Sequence, residues 1–176
     1  SKNVINILLV GLDSKDALKY GGRSDSLILV SLNKKTEKIS MCSFFRDSWC
    51  YMNLSGKDSY SKINSSYLYG GPDALIDTIE NNFKIDIDYY VAVDFSSFRD
   101  IIDALGGVDV HSDFDFVGYH GKHHYVVGIN HLNGAQALGF ARERYAFPTG
   151  DNQRGKNQMA VINAMINKLV SPELLK

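Results

Sequence analysis

Cysteine and proline are scarce: two and three, respectively, in 176 residues. That excludes a disulfide-dense scaffold and a proline-rich linker. No apolar run approaches the ~20 residues needed to span a bilayer, and residues 1–12 have neither the basic start nor the cleavage end of a signal peptide. The chain is expected to be soluble as it stands. Because it starts at a strand-like run without an initiator methionine, it also suits the excised ectodomain of an anchored protein. An excess of charge of either sign is missing too. Nineteen basic side chains face twenty acidic ones, for a net charge of −1, and no five like charges follow one another. The electrostatic footprint of a nucleic-acid binder is therefore absent. What is present is 44% apolar and 22% charged residues, enough for one compact domain over residues 1–176.

Val4 to Val10 is a near-continuous apolar run ending at Gly11, as expected of a buried strand opening into a loop that carries Asp13. Ser26 to Leu32 and Ile39 to Phe45 are β-branched and aromatic runs joined by the polar turn Asn33-Lys34-Lys35-Thr36. Lys62 to Tyr69 has helical spacing, Gly70-Gly71 breaks it, and Pro72 is suited to start a second helix through Asn82. Tyr89 to Val93 reads as a strand, with Asp94 as N-cap of a helix from Phe95 to Leu105 that stops at Gly106-Gly107. Val108 to His111 is a short strand. Leu132 to Ala141 has helical composition, and Asp151 to Val170 carries apolar residues at helical spacing. The order predicts an α/β fold, a single-domain layered sandwich whose central mixed β-sheet carries helices on both faces.

Arginine is distributed unevenly. Of six, five sit at predicted loops or element ends beside acidic or amide residues: Arg23, Arg46, Arg142, Arg144 and Arg154. The planar guanidinium matches phosphate oxygens two at a time and stays charged at any physiological pH, so this placement points to an oxyanion site. The alternative is a set of surface ion pairs, each contributing ~0–1 kcal/mol. Sixteen Asp stand against four Glu; most suit turns and caps, but Asp13 and Asp25 flank apolar strands. Beside arginines and a diphosphate they form the hard-oxygen set that Mg²⁺ accepts, unless they merely pair with Arg23. Arg142 and Arg144 share a face only if that stretch is extended. Arg154 and Gln158 share one if Asp151 starts a helix.

The five histidines fall between His111 and His131. Without a nearby cysteine or a His-Glu-x-x-His spacing, the run from His120 to His124 reads better as a polar hairpin tip than as a zinc site. No nucleophile elbow, Walker loop or dinucleotide fingerprint appears. Cys42 and Cys50 leave both a disulfide and two reduced thiols open.

Nine ordered segments carry a family resemblance. They are Asn6 to Asp13, Arg23-Ser24-Asp25-Ser26, Phe45-Arg46-Asp47, Lys62-Ile63-Asn64, Tyr69-Gly70-Gly71-Pro72, Asp103 to Val108, Leu132 to Leu138, Arg142-x-Arg144, and Asp151-x-x-Arg154-x-x-x-Gln158. Together, from about Val4 to Leu169, the chain resembles the LytR-CpsA-Psr family. The resemblance implies a phosphotransferase on the extracytoplasmic face of the bacterial cell membrane, anchored by an N-terminal helix outside this sequence. Its donor is a polyprenyl-pyrophosphate-linked glycopolymer such as teichoic acid or capsule, its acceptor is peptidoglycan, and polyprenyl phosphate is released. By the same resemblance Asp13 and Asp25 hold Mg²⁺, and Arg23, Arg46, Arg142, Arg144, Arg154 and Gln158 bind the pyrophosphate. Asp47 and Asp151 orient the arginines or assist proton removal, and the prenyl chain lies in an apolar tunnel. Phe45 and Asn157 depart from the family's usual Pro and Arg, and the two cysteines are not part of its pattern. A lipid-pyrophosphate hydrolase and a non-catalytic binding module are the alternatives. A DNA-binding regulator is disfavoured by the charge.

Overall fold

The opening apolar run forms β1, Val4–Leu12, the middle of a sheet whose strands are contributed by distant parts of the sequence. The computed structural model describes residues 3–13 and 15–169. Contacts divide the chain into two compact units, Ser1–Phe95 and Ser96–Lys176.

In the first unit, β1 pairs antiparallel with β2 (Ser24–Asn33) and parallel with β6 (Tyr89–Val93); β2 pairs antiparallel with β3 (Lys38–Phe44). A short helix, α1 (Ala17–Tyr20), lies between β1 and β2. The sheet order is β3-β2-β1-β6, the mixed sheet expected of the α/β class. Leu8, Val10, Leu27 and Leu29 are buried in one core with Leu75 and Ile79 of α2 (Asn64–Phe83). Each such side chain contributes ~1.5–3 kcal/mol of burial. A hairpin of β4 (Trp49–Leu54) and β5 (Lys57–Lys62) packs against α2. It is tied there by Asn82, whose amide bonds both the N–H and the C=O of Tyr51 at 3.1 and 2.8 Å. The predicted break in α2 is a bend at Gly71, with φ 69°. That conformation suits glycine, and Pro72 begins the second arm without needing an N–H.

The second unit takes up α3 (Phe95–Ala104), which begins at the last residue of the first. Strands β7 (Val108–Ser112) and β10 (Gly128–Leu132) pair antiparallel. The short strands β8 (Phe116–Val117) and β9 (His124–Tyr125) form the hairpin whose tip holds His120 and His123. Its aromatic core brings Phe116 within 4.8 Å of Tyr125 and 5.9 Å of Phe140, ring centre to ring centre. Two helices complete it, α4 (Gly134–Arg142) and α5 (Gly150–Leu169).

The helix expected from Leu132 starts later. Leu132 ends β10, and Asn133 caps α4 by accepting the Gln136 N–H at 2.9 Å, while the Gln136 side chain returns a bond to the Asn133 N–H. This reciprocal box fixes the helix start. The helix expected over Asp151 to Val170 is seen to Leu169, and Val170 lies outside the described residues. Both cysteines are free: Cys42 is exposed and Cys50 buried. Among the described residues no helix is long and apolar enough to cross a membrane.

Candidate active site

The first unit assembles its site at the end of β1. Gly11 approaches β2 so closely that a Cβ would lie 2.9 Å from the Ser26 Cβ, and the β1–β2 register shifts between Gly11 and Leu12. Such a bulge re-aims the residues that follow. Asp13 comes next, locked to Arg23 in both directions. Its N–H donates to the Arg23 carbonyl at 3.1 Å, and its Oδ1 accepts the Arg23 N–H at 3.1 Å. Asp25, near the start of β2, forms a short ion pair with Arg46 and accepts a long bond from Asn64 Nδ2 at 3.4 Å. The Asn64 N–H donates to the Arg46 carbonyl. The Asp47 carboxylate lies 3.6 Å from Arg46 Nε and 2.7 Å from Lys62 Nζ.

These groups surround one polar cavity of about 580 Å³, lined by Asp13, Arg23, Asp25, Arg46, Asp47, Ser61, Lys62, Asn64, Ser65 and Tyr69. The five candidates of this unit, Asp13, Arg23, Asp25, Arg46 and Asp47, are therefore together. Three carboxylates face three cations, so the lining is neutral overall. Among the described residues no cluster of three or more His, Cys, Asp or Glu is arranged to hold a metal ion. Mg²⁺ needs only one or two carboxylates when phosphate oxygens and water complete its shell. Asp13 and Asp25, opening into one cavity, fit that donor set.

The second unit gathers its candidates at the junction of α4 and α5. Arg142 is the last residue of α4 and Glu143 is already extended, with ψ 131°. The stretch from Arg142 to Arg144 is thus neither fully strand-like nor helical. Asp151, in the first turn of α5, lies 3.1 Å from Arg154 Nη2 and 4.0 Å from Arg144 Nη1. The Arg144 guanidinium stacks over the Tyr145 ring at 4.9 Å and donates to its hydroxyl at 2.9 Å. Arg144, Asp151 and Arg154 are brought together, with Gln158 one turn beyond Arg154 on α5. Asn157 is buried; its amide donates to the Phe140 carbonyl at 3.2 Å and accepts from Gln153 at 3.0 Å. It ties α5 to α4, a packing role.

Sequence reasoning passed over Glu143, the residue that organises this junction. Its carboxylate is buried, yet Oε1 accepts the N–H groups of Arg144, Tyr145 and Ala146 at 3.0, 2.7 and 3.0 Å, and Oε2 accepts that of Tyr119 at 2.5 Å. Burial pushes its pKa up, but the four backbone bonds outweigh this and hold it below the ordinary value. A lone glutamate between two arginines, in a chain with only four, was the available signal. Burial, then the nearby Arg142, lowers the pKa of His120 and favours its neutral form; Glu143 opposes this, and Arg144 and Lys122 add to it. Burial also lowers the Arg142 pKa. In the first unit, Lys62, Ser61, Asn64, Ser65 and Tyr69 line the cavity without having been assigned a site role.

A sequence model of the LytR_cpsA_psr family matches residues 1–176. The chain is 43% identical over 164 residues to a polyisoprenyl-teichoic acid–peptidoglycan teichoic acid transferase, TagU, of Bacillus cereus, covering 93% of this chain and 52% of that protein. It thus spans about half the length of the curated relative. The crystal structure of B. subtilis TagV superposes with a TM-score of 0.84 at 39% identity, covering 97% of this chain and 66% of that one. The structure of YwtF (TagT), a LytR-CPS2A-psr family protein with bound octaprenyl pyrophosphate lipid, superposes with a TM-score of 0.77 at 33% identity, covering 95% of this chain and 65% of that one.

Proposed function

This chain belongs to the LytR-CpsA-Psr family, and from that premise we propose that it is the catalytic part of a teichoic acid transferase working at the outer face of the cell membrane. Its donor is a polyprenyl-pyrophosphate-linked glycopolymer and its acceptor a peptidoglycan sugar hydroxyl. The observation that carries the reading is the cavity of the first unit, where Arg23, Arg46, Asp13 and Asp25 line one polar space with ample room for a diphosphate.

In the reaction the acceptor oxygen bonds to the phosphorus on the glycopolymer side. The bridging P–O bond breaks, and polyprenyl phosphate leaves with the electron pair. The hydroxyl proton passes to a carboxylate, Asp47 or Asp151, and then to water. Phosphoryl transfer asks little covalent chemistry of a protein, so placement and charge neutralisation carry it. Arg23 and Arg46 are the first unit's guanidinium groups for the phosphates; in the second unit the family resemblance gives the same role to Arg142, Arg144 and Arg154, with Gln158 as an amide donor. The cavity lining is neutral, so a diphosphate finds no surplus cation in it. Mg²⁺ held by Asp13 and Asp25 would supply that surplus and withdraw charge from the breaking bond.

Incubation with a lipid-pyrophosphate-linked teichoic acid and peptidoglycan fragments is expected to yield the covalent conjugate and polyprenyl phosphate, faster with added Mg²⁺. Lipid phosphate without conjugate would make the protein a hydrolase; lipid binding without turnover would make it a carrier. Arg46→Ala and Arg144→Ala should each cost roughly two to three decades in rate, with the circular dichroism spectrum unchanged. Either variant keeping more than about a tenth of the activity, against that expectation, would remove it from the site.

A further inference from the structure

The β4–β5 hairpin has two unlike faces. Cys50 and Met52 turn inward and are buried. The outward face is set by the register pairs Trp49↔Lys62, Tyr51↔Tyr60 and Asn53↔Asp58, because alternate residues of a strand share a face. Trp49, the chain's only tryptophan, is 70% exposed and Tyr60 is 64% exposed. Large aromatic side chains left to water in this way mark contact surfaces when they are grouped and held still.

The two tyrosines of the strip are held still. The Tyr51 and Tyr60 rings meet edge to face at 5.7 Å. The Tyr51 hydroxyl donates to Asp58 Oδ1 at 2.7 Å, and Asn53 Nδ2 donates to the same oxygen at 2.6 Å. Asn82 secures the Tyr51 backbone to α2 from behind. Little ordering entropy is left to lose on binding, the usual benefit of preorganisation.

The strip is also continuous with the cavity. Lys62, which opens the outward face opposite Trp49, lines that cavity and is paired with Asp47, another lining residue. From the Trp49 row to the Asn53 row the strip runs roughly 14 Å, at ~3.4 Å per residue. That length takes a short oligosaccharide.

We propose that this outward face is the acceptor platform, on which pyranose rings of an amino-sugar glycan strand without phosphate in its backbone stack against Trp49, Tyr51 and Tyr60 and bring a hydroxyl into the Arg46 cavity. Charge decides between acceptor and donor as the occupant. A teichoic acid is a polyanion, whereas the only cation in these three pairs is Lys62, already held by Asp47, and Asp58 adds a negative charge. An aromatic strip edged by a carboxylate and an amide suits sugar rings with hydroxyl and N–H donors.

The inference rests on the transferase reading, and its test separates the two. With the whole chain, binding of purified uncrosslinked peptidoglycan glycan strands is measured directly, alongside binding of octaprenyl pyrophosphate and of a soluble teichoic acid. Where conjugate forms, KM for the strands and kcat are measured too. Trp49→Ala/Tyr60→Ala is expected to weaken strand binding tenfold or more and raise KM by a similar factor. Its kcat and its octaprenyl pyrophosphate binding should match wild type, and Trp49→Tyr should recover most of the loss. Strand binding lost in the double variant, in a protein that never forms conjugate, would sustain the platform while ending the transferase reading. Unchanged strand binding and KM would overturn the platform. So would a loss confined to the teichoic acid, which would assign the strip to the donor.

Discussion

Replacing Glu143 with Gln tests whether a buried charge braces the α4–α5 junction. Glutamine keeps the shape but offers one acceptor where the carboxylate has two. If its carbonyl takes the place of Oε1, the three N–H groups of Arg144, Tyr145 and Ala146 keep a neutral partner. Its NH₂ then faces the Tyr119 N–H, donor against donor. A buried unsatisfied donor costs ~1–3 kcal/mol, and bonds to a charged acceptor exceed neutral ones by ~0.5–1.5 kcal/mol each. Neighbouring bonds to one oxygen do not add fully, so a loss of roughly 3 kcal/mol follows. For a chain of this size that lowers Tm by roughly 6–12 °C. The pH dependence supplies the sharper check. Because the folded pKa is depressed, the stabilisation is fully present above the ordinary value of 4.5 and is lost as pH falls through the folded value. The gap between wild type and variant should therefore be flat from about pH 6 to 8 and close in acid. Thermal melts across that range measure it, and amide exchange at Tyr119, Tyr145 and Ala146 should quicken in the variant. A gap that stays constant into acid, or one under about 0.5 kcal/mol at neutral pH, where typical surface substitutions lie, would refute the charged brace.

Other consequences are simpler to check. Gly134 starts α4 where a Cβ would lie 2.3 Å from the Arg99 carbonyl oxygen and 2.7 Å from its Cα. Backbone cannot yield as a side-chain tip does, so Gly134→Ala should cost roughly 1–3 kcal/mol, read by urea unfolding. Removing the Asn133 cap with Asn133→Ala should cost ~1 kcal/mol, and the two effects should couple because the residues are adjacent. In the native protein a thiol reagent should modify Cys42 and spare Cys50, which is buried with its pKa raised by that burial. Mass spectrometry should show one adduct without denaturant and two with it. Two adducts on the folded protein would contradict the burial of Cys50.

Much of the sheet was legible because its strands repeat one message. From Val4 to Val10 almost every residue is apolar, and the run from Tyr89 to Val93 coincides with β6. The bend in α2 was legible because Gly71 and Pro72 have few other uses side by side. The β4–β5 hairpin was not, since its outward face carries Trp and Tyr where an exposed strand usually alternates to polar residues, and the period-two pattern was hidden. Leu132 read as helical because it precedes an alanine-rich stretch, but the Asn133–Gln136 box starts the helix two residues later, at Gly134. Within the site, the arginines stood out by their scarcity and placement. Glu143 did not, because its partners are backbone N–H groups, which every sequence has.

The arginines are held in two different ways, and the difference bears on how each set meets a phosphate. Arg46 is paired with Asp25 and lies near Asp47, with all three side chains partly exposed. Partly exposed pairs of this kind contribute ~0–1 kcal/mol, so a guanidinium can exchange its carboxylate for a phosphate at small cost. Asp25, released, then offers its oxygens elsewhere in the same cavity. Around Glu143 the arrangement is the reverse: the carboxylate is engaged by four backbone N–H groups, so its oxygens compete little for the guanidinium groups on either side. What it fixes is the chain on which Arg144 stands, while Asp151 spans Arg144 and Arg154. Asp25→Asn should therefore leave the fold intact and alter anion affinity through Arg46. Glu143→Gln should instead loosen the junction first and weaken anion binding as a consequence. Measuring pyrophosphate affinity and melting temperature on both variants distinguishes them: affinity changing without stability in the first, both changing together in the second. Equal stability losses in the two would mean that Asp25 is as structural as Glu143, and the exchange argued for Arg46 would fail.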